Sequence, residues 1–593
     1  MESNVLAWIA IAIPIIGSIL VFPMGMVSSK VRQIYSITLA TITAGFTLSL
    51  IPRITDGDIG SVLWIPATNI SVGLSLDSLS VFVAVVAGCI GALVVLYSSR
   101  YMESDTDEYS LSRYYFLVLL FIGGMIGLAL TSNIMIMYVF WEIIGFCSYA
   151  LIAYYYRQPE AVPAGTKAFI VTRIGDIGLL AGIIILWRTT GTLNIYEIMD
   201  ASAAGIIPVF LLGMAGAGFI AGAAGKSAQL PLHTWLPDAM AAPTTISALI
   251  HAATLVNAGV YLLARSYPIF SGLDWWQPAI LWIGSLTALM AATLALIEPD
   301  IKRVLAYSTI SQLGFMVAAI GAGAVLASQF HLVSHGIFKA LLFLCAGAII
   351  HATGTKNMYE MGGLRKDMKL TNACFIIGTL SLVGIPVFSG FWSKDLILES
   401  ILHEGMLAPF AILTIATLLT AAYSFRMYWM TFQGSKRTKI HGHDGPWPMS
   451  LPLVILAIGA TIFWVTIGPY TTTMVNSLPL YSVEHISIGT LVSTTFGSPV
   501  IWVTVGVIIL LVLLWLRWRA TVADTFKEAS SYTLPLRKGY WFDSVYYSFV
   551  NNGILGSSQV LRKLQTGSLN YNILGIVIGL GVFLALLFTW GLM

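Results

Sequence analysis

The sequence is poor in charge and in cysteine, and each shortage excludes a class of protein. Only 10% of the 593 residues are charged and 57% are hydrophobic, a composition that excludes a water-soluble enzyme. The formal net charge of +3 excludes a nucleic-acid-binding protein, since phosphate-binding surfaces need clustered Lys and Arg. The four cysteines lie singly in apolar segments without a CxxC spacing, so we expect no zinc, no iron–sulfur cluster and no other metal on this chain.

Apolar runs of membrane length make up most of the chain. We expect an all-α polytopic membrane protein of about 16 transmembrane helices, since each span needs roughly 20 apolar residues. The predicted organisation is three N-terminal helices, two inverted five-helix repeats, helices 14 and 15, a lateral amphipathic region and a last anchoring helix. In that order these parts occupy residues 1–111, 112–268 and 269–433, 434–520, 521–570 and 571–593.

The basic residues predict an orientation, because Lys and Arg accumulate in cytoplasmic loops. With the N-terminus outside, 22 of the 30 basic residues lie in loops that follow odd-numbered spans and 3 lie in loops that follow even-numbered spans. We therefore expect a protein of the cell (plasma or inner) membrane with both termini on the outer side. The other basic residues lie inside apolar segments: Arg173, Lys226, Lys339, Lys394 and Arg426.

Charge inside the membrane marks the candidate site. A Lys or Arg at a helix centre costs about 2.5 to 3.5 kcal/mol, so such a residue is normally paired or functional. Arg426 is near a cytoplasmic end and can extend toward water, whereas Lys226 has a plausible partner in Glu142 of the fifth span. A fixed Glu142–Lys226 pair that only locks two helices together is the competing interpretation.

Helix-breaking residues accompany two of these lysines: Pro231 and Pro237 after Lys226, and Pro386 and Gly390 before Lys394. Such residues interrupt membrane helices where the backbone lines a cavity. The two lysines are 168 residues apart, close to the 164 residues that separate the starts of the fourth and ninth spans. This offset indicates two copies of a five-helix unit. An odd number of spans makes the copies inverted, as in many ion transporters.

A row of titratable residues lies between the two breaks. His331, His335 and Lys339 follow one another at intervals of four, so they share one helical face. Histidine titrates near neutral pH, and neighbouring groups of this kind can pass a proton. His251 of the eighth span extends the row toward Lys226. Core histidines with only a structural role are the alternative, and haem or metal ligation is disfavoured because no carboxylate or cysteine joins them.

Arg173 and Asp176 form a second charged pair on the sixth span. Their separation of three residues favours an ion pair within one helix. If that pair opens, Asp176 would modulate the Glu142–Lys226 pair electrostatically. A purely structural salt bridge is the alternative interpretation.

At these residues the chain resembles the antiporter-like subunits of respiratory complex I and the Mrp cation/proton antiporters. The resemblance covers roughly residues 70–435 and depends on four motifs in combination: FWE at 140–142, GKSAQLPL at 225–232, SALIHAAT at 247–254 and FWSKD at 391–395. Within the family the chain is most similar to chain L, because Lys394 stands where chain M typically has a glutamate.

The resemblance implies a proton-translocating subunit of a complex I-like membrane oxidoreductase, which couples quinone or methanophenazine reduction to proton export. Glu142 would sense a charge change in a neighbouring chain-M-type subunit, and Lys226 would then give up its proton. The proton would pass through His251, His335, His331 and Lys339 to Lys394. FMN or another flavin, iron–sulfur clusters and quinone are expected on partner subunits, with no redox centre on this chain.

The resemblance also implies a lateral amphipathic helix on the cytoplasmic side. Over residues 540–566 it would reach about 40 Å at 1.5 Å per residue, which is short for the family. A helix lying in the lipid interface is the alternative. Three other functions remain open: an Mrp-type sodium/proton antiporter subunit, a membrane subunit of an inorganic-carbon uptake system, and an anchor that transports nothing.

Overall fold

The helices begin and end where short polar caps, glycines and prolines interrupt the apolar runs. The computed structural model describes residues 3–55, 57–65, 70–103, 107–437, 442–498, 501–502, 505–507, 509, 534–564, 573–575, 577–582 and 585. Two compact units are distinguished, Met1–Ala529 and Ser530–Met593. The division lies near the predicted boundary at residue 521.

The first unit is a bundle of helices. Its α-helices are α1 (Ser3–Ile19), α2 (Val21–Val27), α3 (Ser29–Ser49), α4 (Ser78–Tyr101), α5 (Glu108–Leu130), α6 (Ile134–Ile152), α7 (Ala161–Thr190), α8 (Ile195–Ala203), α9 (Val209–Lys226), α10 (Trp235–Asp238), α11 (Thr244–Ala252), α12 (Leu255–Phe270), α13 (Trp276–Ile297), α14 (Ile301–Gly321), α15 (Val325–Thr353), α16 (Lys369–Val383), α17 (Ser389–His403), α18 (Leu407–Phe432), α19 (Trp447–Ile462), α20 (Ile467–Ser477) and α21 (Ile488–Gly497). Asn133 and Asp300 cap α6 and α14 through hydrogen bonds from the backbone N–H groups of Met135 (2.9 Å) and Lys302 (2.8 Å), as short polar side chains commonly do.

Within the described residues, 12 helices are long and apolar enough to cross a membrane, or up to 13 if the bent pair α1 and α2 is one span. The predicted twelfth span is present as two shorter helices, α16 and α17, of 15 residues each. The last two predicted spans, at 498–516 and 571–592, lie largely outside the described residues. The count of 16 therefore stays a prediction, whereas the helical, multi-pass character is confirmed.

One element departs from the predicted all-α fold. Residues Asp58–Ile65 and Ile70–Ser75 form the antiparallel strands β1 and β2, with Asp58 opposite Ser75. The segment is too short and too interrupted to span a bilayer, and its alternating β-branched residues suit a hairpin. Apolar runs of membrane length do not indicate such a hairpin, because it lies in the segment between two predicted spans.

The centre of the bundle is formed by α14 and by the pair α11 and α12. The most apolar 18 residues of Ile301–Gly321 and of Thr244–Phe270 are entirely buried, against 44% of those in Ala161–Thr190. Close backbone contact holds α13 against α14, since a Cβ built on Gly284 would be 2.4 Å from the amide nitrogen of Ala318. Small residues allow such approach in membrane bundles. Polar side chains on α11, α14 and α15 are thus kept from lipid.

The second unit contains the predicted lateral region. Its described helices are α22 (Leu534–Arg537), α23 (Phe542–Ser548), a π-helical turn at Phe549–Leu555 and α24 (Gly556–Leu564). Tyr540 and Trp541 have positive φ angles of 52° and 59°, so α22 does not continue into α23. Residues 521–533 and 565–570 of the predicted lateral region lie outside the described residues.

Candidate functional site

Both predicted helix breaks are present, and each lies close to its lysine: Lys226 is the last residue of α9, whereas Lys394 is the sixth residue of α17. Helix α9 ends at Lys226, and Pro231 lies in the irregular segment before α10, which itself contains Pro237. Helix α16 ends at Val383, followed by Gly384 with a φ of 89°, the left-handed conformation that favours glycine.

Pro386 and Gly390 occupy different positions at the second helix break. Pro386 lies in the irregular segment between α16 and α17. Gly390 is instead the second residue of α17, where a Cβ would lie 1.9 Å from the carbonyl oxygen of Ser381. Gly390 therefore lets the two half-helices pass closely rather than breaking the helix itself, which corrects its predicted role.

A third interruption, which the sequence analysis missed, divides the eighth span directly after His251. Helix α11 ends at Ala252 and α12 begins at Leu255. The Asn257 side chain donates to the freed carbonyl of Ala252 (2.9 Å), and Thr254 Oγ1 donates to the carbonyl of Leu249 (2.9 Å), which also accepts the N–H of Ala253. These side chains satisfy polar groups at a depth where lipid offers no hydrogen-bond partner. His251 consequently lies at a helix end, as Lys226 does.

The ion pairs of the first repeat have different partners from those predicted. Arg173 Nη1 donates to Glu142 Oε1 at 2.5 Å, and Lys226 Nζ lies 3.4 Å from Asp176 Oδ2. The predicted pairs Glu142–Lys226 and Arg173–Asp176 are therefore wrong. Residues three apart on a helix point in directions that differ by about 60°, so Arg173 reaches Glu142 of α6 while Asp176 faces Lys226 of α9.

The two pairs lie in different surroundings. The Lys226 and Asp176 side chains are 1% and 0% exposed, whereas those of Arg173 and Glu142 are 34% and 24% exposed. Asp176 Oδ1 also accepts a hydrogen bond from Trp141 Nε1 at 2.6 Å. Glu142 and Arg173 are thus the outer pair, and Asp176 and Lys226 the inner pair.

The inner pair is loosely held. Lys226 Nζ and Asp176 Oδ2 make no hydrogen bond to a described residue, and 3.4 Å is long for a charge-assisted hydrogen bond. The ammonium group lies 5.6 Å from the centre of the Trp141 ring. A Cβ on Gly145 would come within 2.5 Å of Lys226 Nζ, so this glycine makes room for the charge.

The second group of predicted residues is assembled around α15. His331, His335 and Lys339 are each 0% exposed, as is His251 of α11. The His331 and His335 rings are 6.2 Å apart, and His335 lies within electrostatic range of His251, Lys339 and Lys394. The structure therefore gathers these five residues into one buried cluster, called here the central row.

Hydrogen bonds connect the central row to the second helix break. His331 Nδ1 is 2.8 Å from Ser393 Oγ of α17, and its Nε2 is 3.2 Å from Gln312 Oε1 of α14. Lys394, next to Ser393, donates to the carbonyl groups at the end of α16, of Leu382 (2.8 Å) and Val383 (3.4 Å). A cation is favourable at a helix C-terminus. The row thus reaches the lysine of the second break.

Helix α9, which ends at Lys226, is in contact with α12, the second half of the interrupted eighth span. Ser227, the residue after Lys226, donates from Oγ to the carbonyl of Val256 at 2.6 Å. A Cβ on Gly259 would lie 2.3 Å from that same hydroxyl, so the two helices are in direct contact here. The half-helix that ends at Lys226 is therefore packed against α12, the half of the eighth span that follows the half carrying His251.

Several buried polar residues were not predicted. Asp395 is 7% exposed and accepts a hydrogen bond from Thr495 Oγ1 at 2.8 Å. Lys302 is 4% exposed and donates to the carbonyl groups of Met240 (2.9 Å) and Ala242 (2.6 Å). Asp395 could have been inferred from its place beside Lys394, whereas Lys302 had been counted as a loop residue.

Two arginines near span ends are buried rather than extended toward water. Arg265 is 2% exposed and its Nη2 donates to Asp77 Oδ1 at 2.7 Å. Arg426, expected to extend to the interface, is 0% exposed, and its Nη1 donates to the Glu298 carbonyl at 2.9 Å. Their acceptors are 188 and 128 residues away in the chain, so no local spacing could have indicated them.

Metal ligation has no support in the described part of the chain. No group of three or more His, Cys, Asp or Glu side chains there could hold a metal ion. The arrangement that is present consists of buried amines, imidazoles and carboxylates, which are groups able to exchange protons.

Comparison with known families gives two matches in sequence. Residues 131–420 match the transmembrane family described as "NADH:quinone oxidoreductase/Mrp antiporter", and residues 64–115 match "NADH-Ubiquinone oxidoreductase (complex I), chain 5 N-terminus". Together these matches include all the predicted site residues.

Similar curated proteins come from photosynthetic organisms and from an archaeon. The chain is 38% identical over 504 residues to NAD(P)H-quinone oxidoreductase chain 5 of Picosynechococcus sp., covering 77% of this chain and 75% of that protein. It is 45% identical over 390 residues to the chloroplastic subunit 5 of Adiantum capillus-veneris, covering 63% and 52%. It is 41% identical over 423 residues to the F(420)H(2) dehydrogenase subunit L of Methanosarcina mazei, covering 65% and 62%. The chain thus spans about half to two thirds of the length of several of these relatives.

Two solved structures have similar folds. One is the Mrp complex from Dietzia sp., with a TM-score of 0.84, 27% identity, and coverage of 99% of this chain and 63% of that chain. The other is a membrane-bound sulfane sulfur reductase, described as an archaeal respiratory membrane complex, with a TM-score of 0.71, 26% identity, and coverage of 79% and 96%. The fold is therefore shared by respiratory and antiporter assemblies.

Proposed function

Because the chain belongs to the NADH:quinone oxidoreductase/Mrp antiporter family, we propose that it is the chain-L-type, proton-translocating subunit of a complex I-like membrane oxidoreductase. It couples reduction of quinone or methanophenazine, carried out on partner subunits, to proton export. The observation that carries the proposal is the central row: five buried titratable side chains that end at Lys394, beside the second helix break.

The inverted repeat is part of the proposal, and two matching turns support it. Residues 190–197 read TGTLNIYE and residues 353–360 read TGTKNMYE. In each turn the second threonine donates to the glutamate, Thr192 to Glu197 and Thr355 to Glu360. The turns follow the predicted sixth and eleventh spans, five spans apart, so they belong on opposite sides of the membrane.

Arg173 provides a route from the protein surface to the inner pair. It lies between two acids on α6 and α7 and bonds the outer one, Glu142. If a charge change in a neighbouring subunit draws Glu142 away, Arg173 is left without its acid and is attracted to Asp176. Asp176 then holds Lys226 less firmly, and Lys226 releases its proton toward His251.

The size of this effect is sufficient for pumping. Two unit charges about 4 Å apart interact by about 4 kcal/mol at an effective dielectric constant of 20. Moving one charge across the membrane costs about 2.3 kcal/mol per 100 mV. Losing most of the Asp176–Lys226 attraction therefore equals the work of moving one proton against about 170 mV.

The central row carries the proton onward. It passes through His251, His335, His331 and Lys339, and Lys394 releases it on the outer side. Lys339 and Lys394 lie within electrostatic range of each other, and like charges in such a setting repel. A proton that arrives at Lys339 therefore favours release from Lys394.

A chain-M-type neighbour is proposed at the face that carries Glu142. This face has an apolar groove with Glu142 in its wall, lined also by Leu120, Tyr138, Val139, Ile143 and Phe146. Glu142 is 24% exposed there, and an acid is expensive against lipid. A partner with a polar side chain at this position would remove that cost.

We also propose the orientation of the chain in the membrane and the location of the redox cofactors, from the resemblance to the family. The protein lies in the cell membrane with both termini outside, and the lateral helix runs along the cytoplasmic side. A flavin such as FMN, iron–sulfur clusters and quinone are on partner subunits. This chain supplies the proton path and no redox centre.

A second candidate is an Mrp-type sodium/proton antiporter subunit, which works without electron transfer. The similarity that favours it is the Mrp structure, whose fold matches 99% of this chain. That chain is longer, since the match covers 63% of it. Roles in inorganic-carbon uptake or as an anchor have no comparable support.

Purification and proton pumping together separate these functions. The assembled complex containing Lys226→Ala is compared with one containing Lys366→Ala, an exposed lysine. Pumping is followed in inverted vesicles by quenching of a pH-sensitive dye during donor-driven quinone reduction. We expect iron–sulfur subunits to co-purify and only Lys226→Ala to lose pumping. Small membrane subunits alone would favour the antiporter, a zinc-bearing soluble partner the carbon-uptake system, and unchanged pumping an anchor.

A further inference from the structure

A second row of titratable side chains continues from Lys394 along α17. Asp395, Glu399 and His403 are spaced by four residues, so they lie on one face of the helix. Their exposure increases along the helix: Asp395 is buried, Glu399 is half-buried and His403 is exposed. At 1.5 Å per residue the three span about 12 Å. We call these three residues the outlet row.

A cavity adjoins the inner part of this row. The space open to the centres of water molecules is about 40 Å³, and Lys394, Asp395 and Glu399 line it. The rest of its wall is mainly apolar and comes from α17, α18 and the segment after α21, including Leu402, Phe410 and Ile501. Water occupies a cavity when it is large enough and offers several polar partners. This cavity meets both conditions at the end of the central row.

Lys394 and Asp395 are adjacent in the chain, but their side chains bond to different partners. Lys394 donates to the carbonyl of Leu382 at 2.8 Å, and Asp395 accepts from Thr495 at 2.8 Å. Lys394 and Asp395 therefore do not form a fixed ion pair with each other. Glu399 lies within electrostatic range of both Asp395 and His403, so it is the middle member of the outlet row.

We propose that Asp395, Glu399 and His403, together with water in the adjoining cavity, carry the proton from Lys394 to the surface at the C-terminal end of α17. The inference rests on the proposed function and adds its release path. In each transfer the donor loses one proton and the acceptor gains it: Lys394 to Asp395, Asp395 to Glu399, Glu399 to His403, and His403 to bulk water. No other bond changes, and no electron moves.

The test uses Glu399→Gln in the assembled complex. Glutamine keeps the size of the side chain but cannot accept and release a proton. The matched control is Glu404→Gln, which changes an exposed glutamate at the end of α17 that is not on the row. Inverted vesicles are given the electron donor that reduces quinone in the native membrane, and dye quenching reports proton uptake. We expect a loss of about tenfold or more in Glu399→Gln, since a positioned proton-transfer group contributes at least that much.

Two further variants distinguish proton transfer from a structural role. Glu399→Asp keeps the carboxyl group and should recover at least half of the pumping, whereas a packing defect would persist. His403→Ala alters an exposed side chain and should lower pumping about twofold without loss of assembly. Normal pumping in both Glu399→Gln and His403→Ala, with Lys226→Ala still inactive, would overturn the outlet row alone. Normal pumping in Lys226→Ala as well would overturn the proposed function.

Discussion

Arg173 holds Glu142 through a 2.5 Å hydrogen bond, and this leaves Asp176 as the acid that faces Lys226. Four charged groups are thereby divided into an outer pair, which is partly exposed, and an inner pair, which is buried. In the proposed mechanism Arg173, which lies between Glu142 and Asp176, is a positioning residue rather than a proton carrier.

Replacing Arg173 with alanine tests this division. Without the guanidinium, Glu142 has no cation at 2.5 Å and no movable positive charge lies between it and Asp176, so we expect pumping to fall about tenfold while the complex still assembles. Arg173→Lys should restore part of the loss because it keeps the charge. The control is Arg188→Ala, an exposed arginine on the same helix. Equal pumping by the two alanine variants would show that Arg173 has no part in coupling.

The link between the central row and α17 depends on Ser393. Its hydroxyl lies 2.8 Å from His331 Nδ1, and Ser393→Ala removes this contact with a minimal change in volume. We expect proton uptake to fall several-fold. Ser400→Ala is the matched control, since that hydroxyl only donates to the carbonyl of Leu396 (2.7 Å) on its own helix. Dye quenching in inverted vesicles measures both, and identical rates would contradict the link.

The Asp77–Arg265 pair should make stability depend on pH. Burial alone would raise the pKa of Asp77, but the charge of Arg265 and hydrogen bonds from Arg265, Ser80 and Tyr196 outweigh it and lower the pKa below its ordinary value of 3.8. The stabilisation is therefore fully present above that ordinary value. It is lost as the pH falls through the lowered pKa of the folded protein.

Thermal unfolding in detergent, followed by tryptophan fluorescence, measures this contribution. At pH 7, Asp77→Asn should lower the free energy of unfolding by about 3 to 5 kcal/mol, because it leaves a buried charge uncompensated. The difference between the variant and the unmodified protein should shrink below pH 4. The control is Asp200→Asn, an exposed acid, with little expected effect. A difference that stays constant down to pH 3 would exclude the assigned role of Asp77.

The inverted repeat predicts opposite sidedness for its two matching turns. Glu197 and Glu360 are both exposed, so a cysteine introduced at either position can react with a membrane-impermeant maleimide in a chain with Cys89→Ala, where the other three native cysteines are buried. We expect Glu197→Cys to react in right-side-out vesicles and Glu360→Cys in inverted ones. Reaction of both from the same side would refute the inverted arrangement.

The sequence predicted the breaks after Lys226 and before Lys394 because prolines mark them. It did not predict the break after His251, since residues 252–255 contain neither proline nor glycine and the freed carbonyl of Ala252 is satisfied by the side chain of Asn257. The partners of Arg173 and Asp176 were exchanged because spacing along a helix does not say which neighbouring helix each side chain faces. The pair of Asp77 with Arg265 depends on a separation of 188 residues, which only the packed bundle can reveal.

Donor-driven proton uptake by inverted vesicles that carry Lys394→Met in the assembled complex tests the central claim most directly. Methionine fills a similar volume without an ionisable group, and Lys366→Met is the exposed control. We expect Lys394→Met to lower the rate of proton uptake about tenfold or more, while Lys366→Met remains close to the unmodified complex. A Lys394→Met complex that assembles and pumps at the unmodified rate would show that Lys394 does not carry the proton.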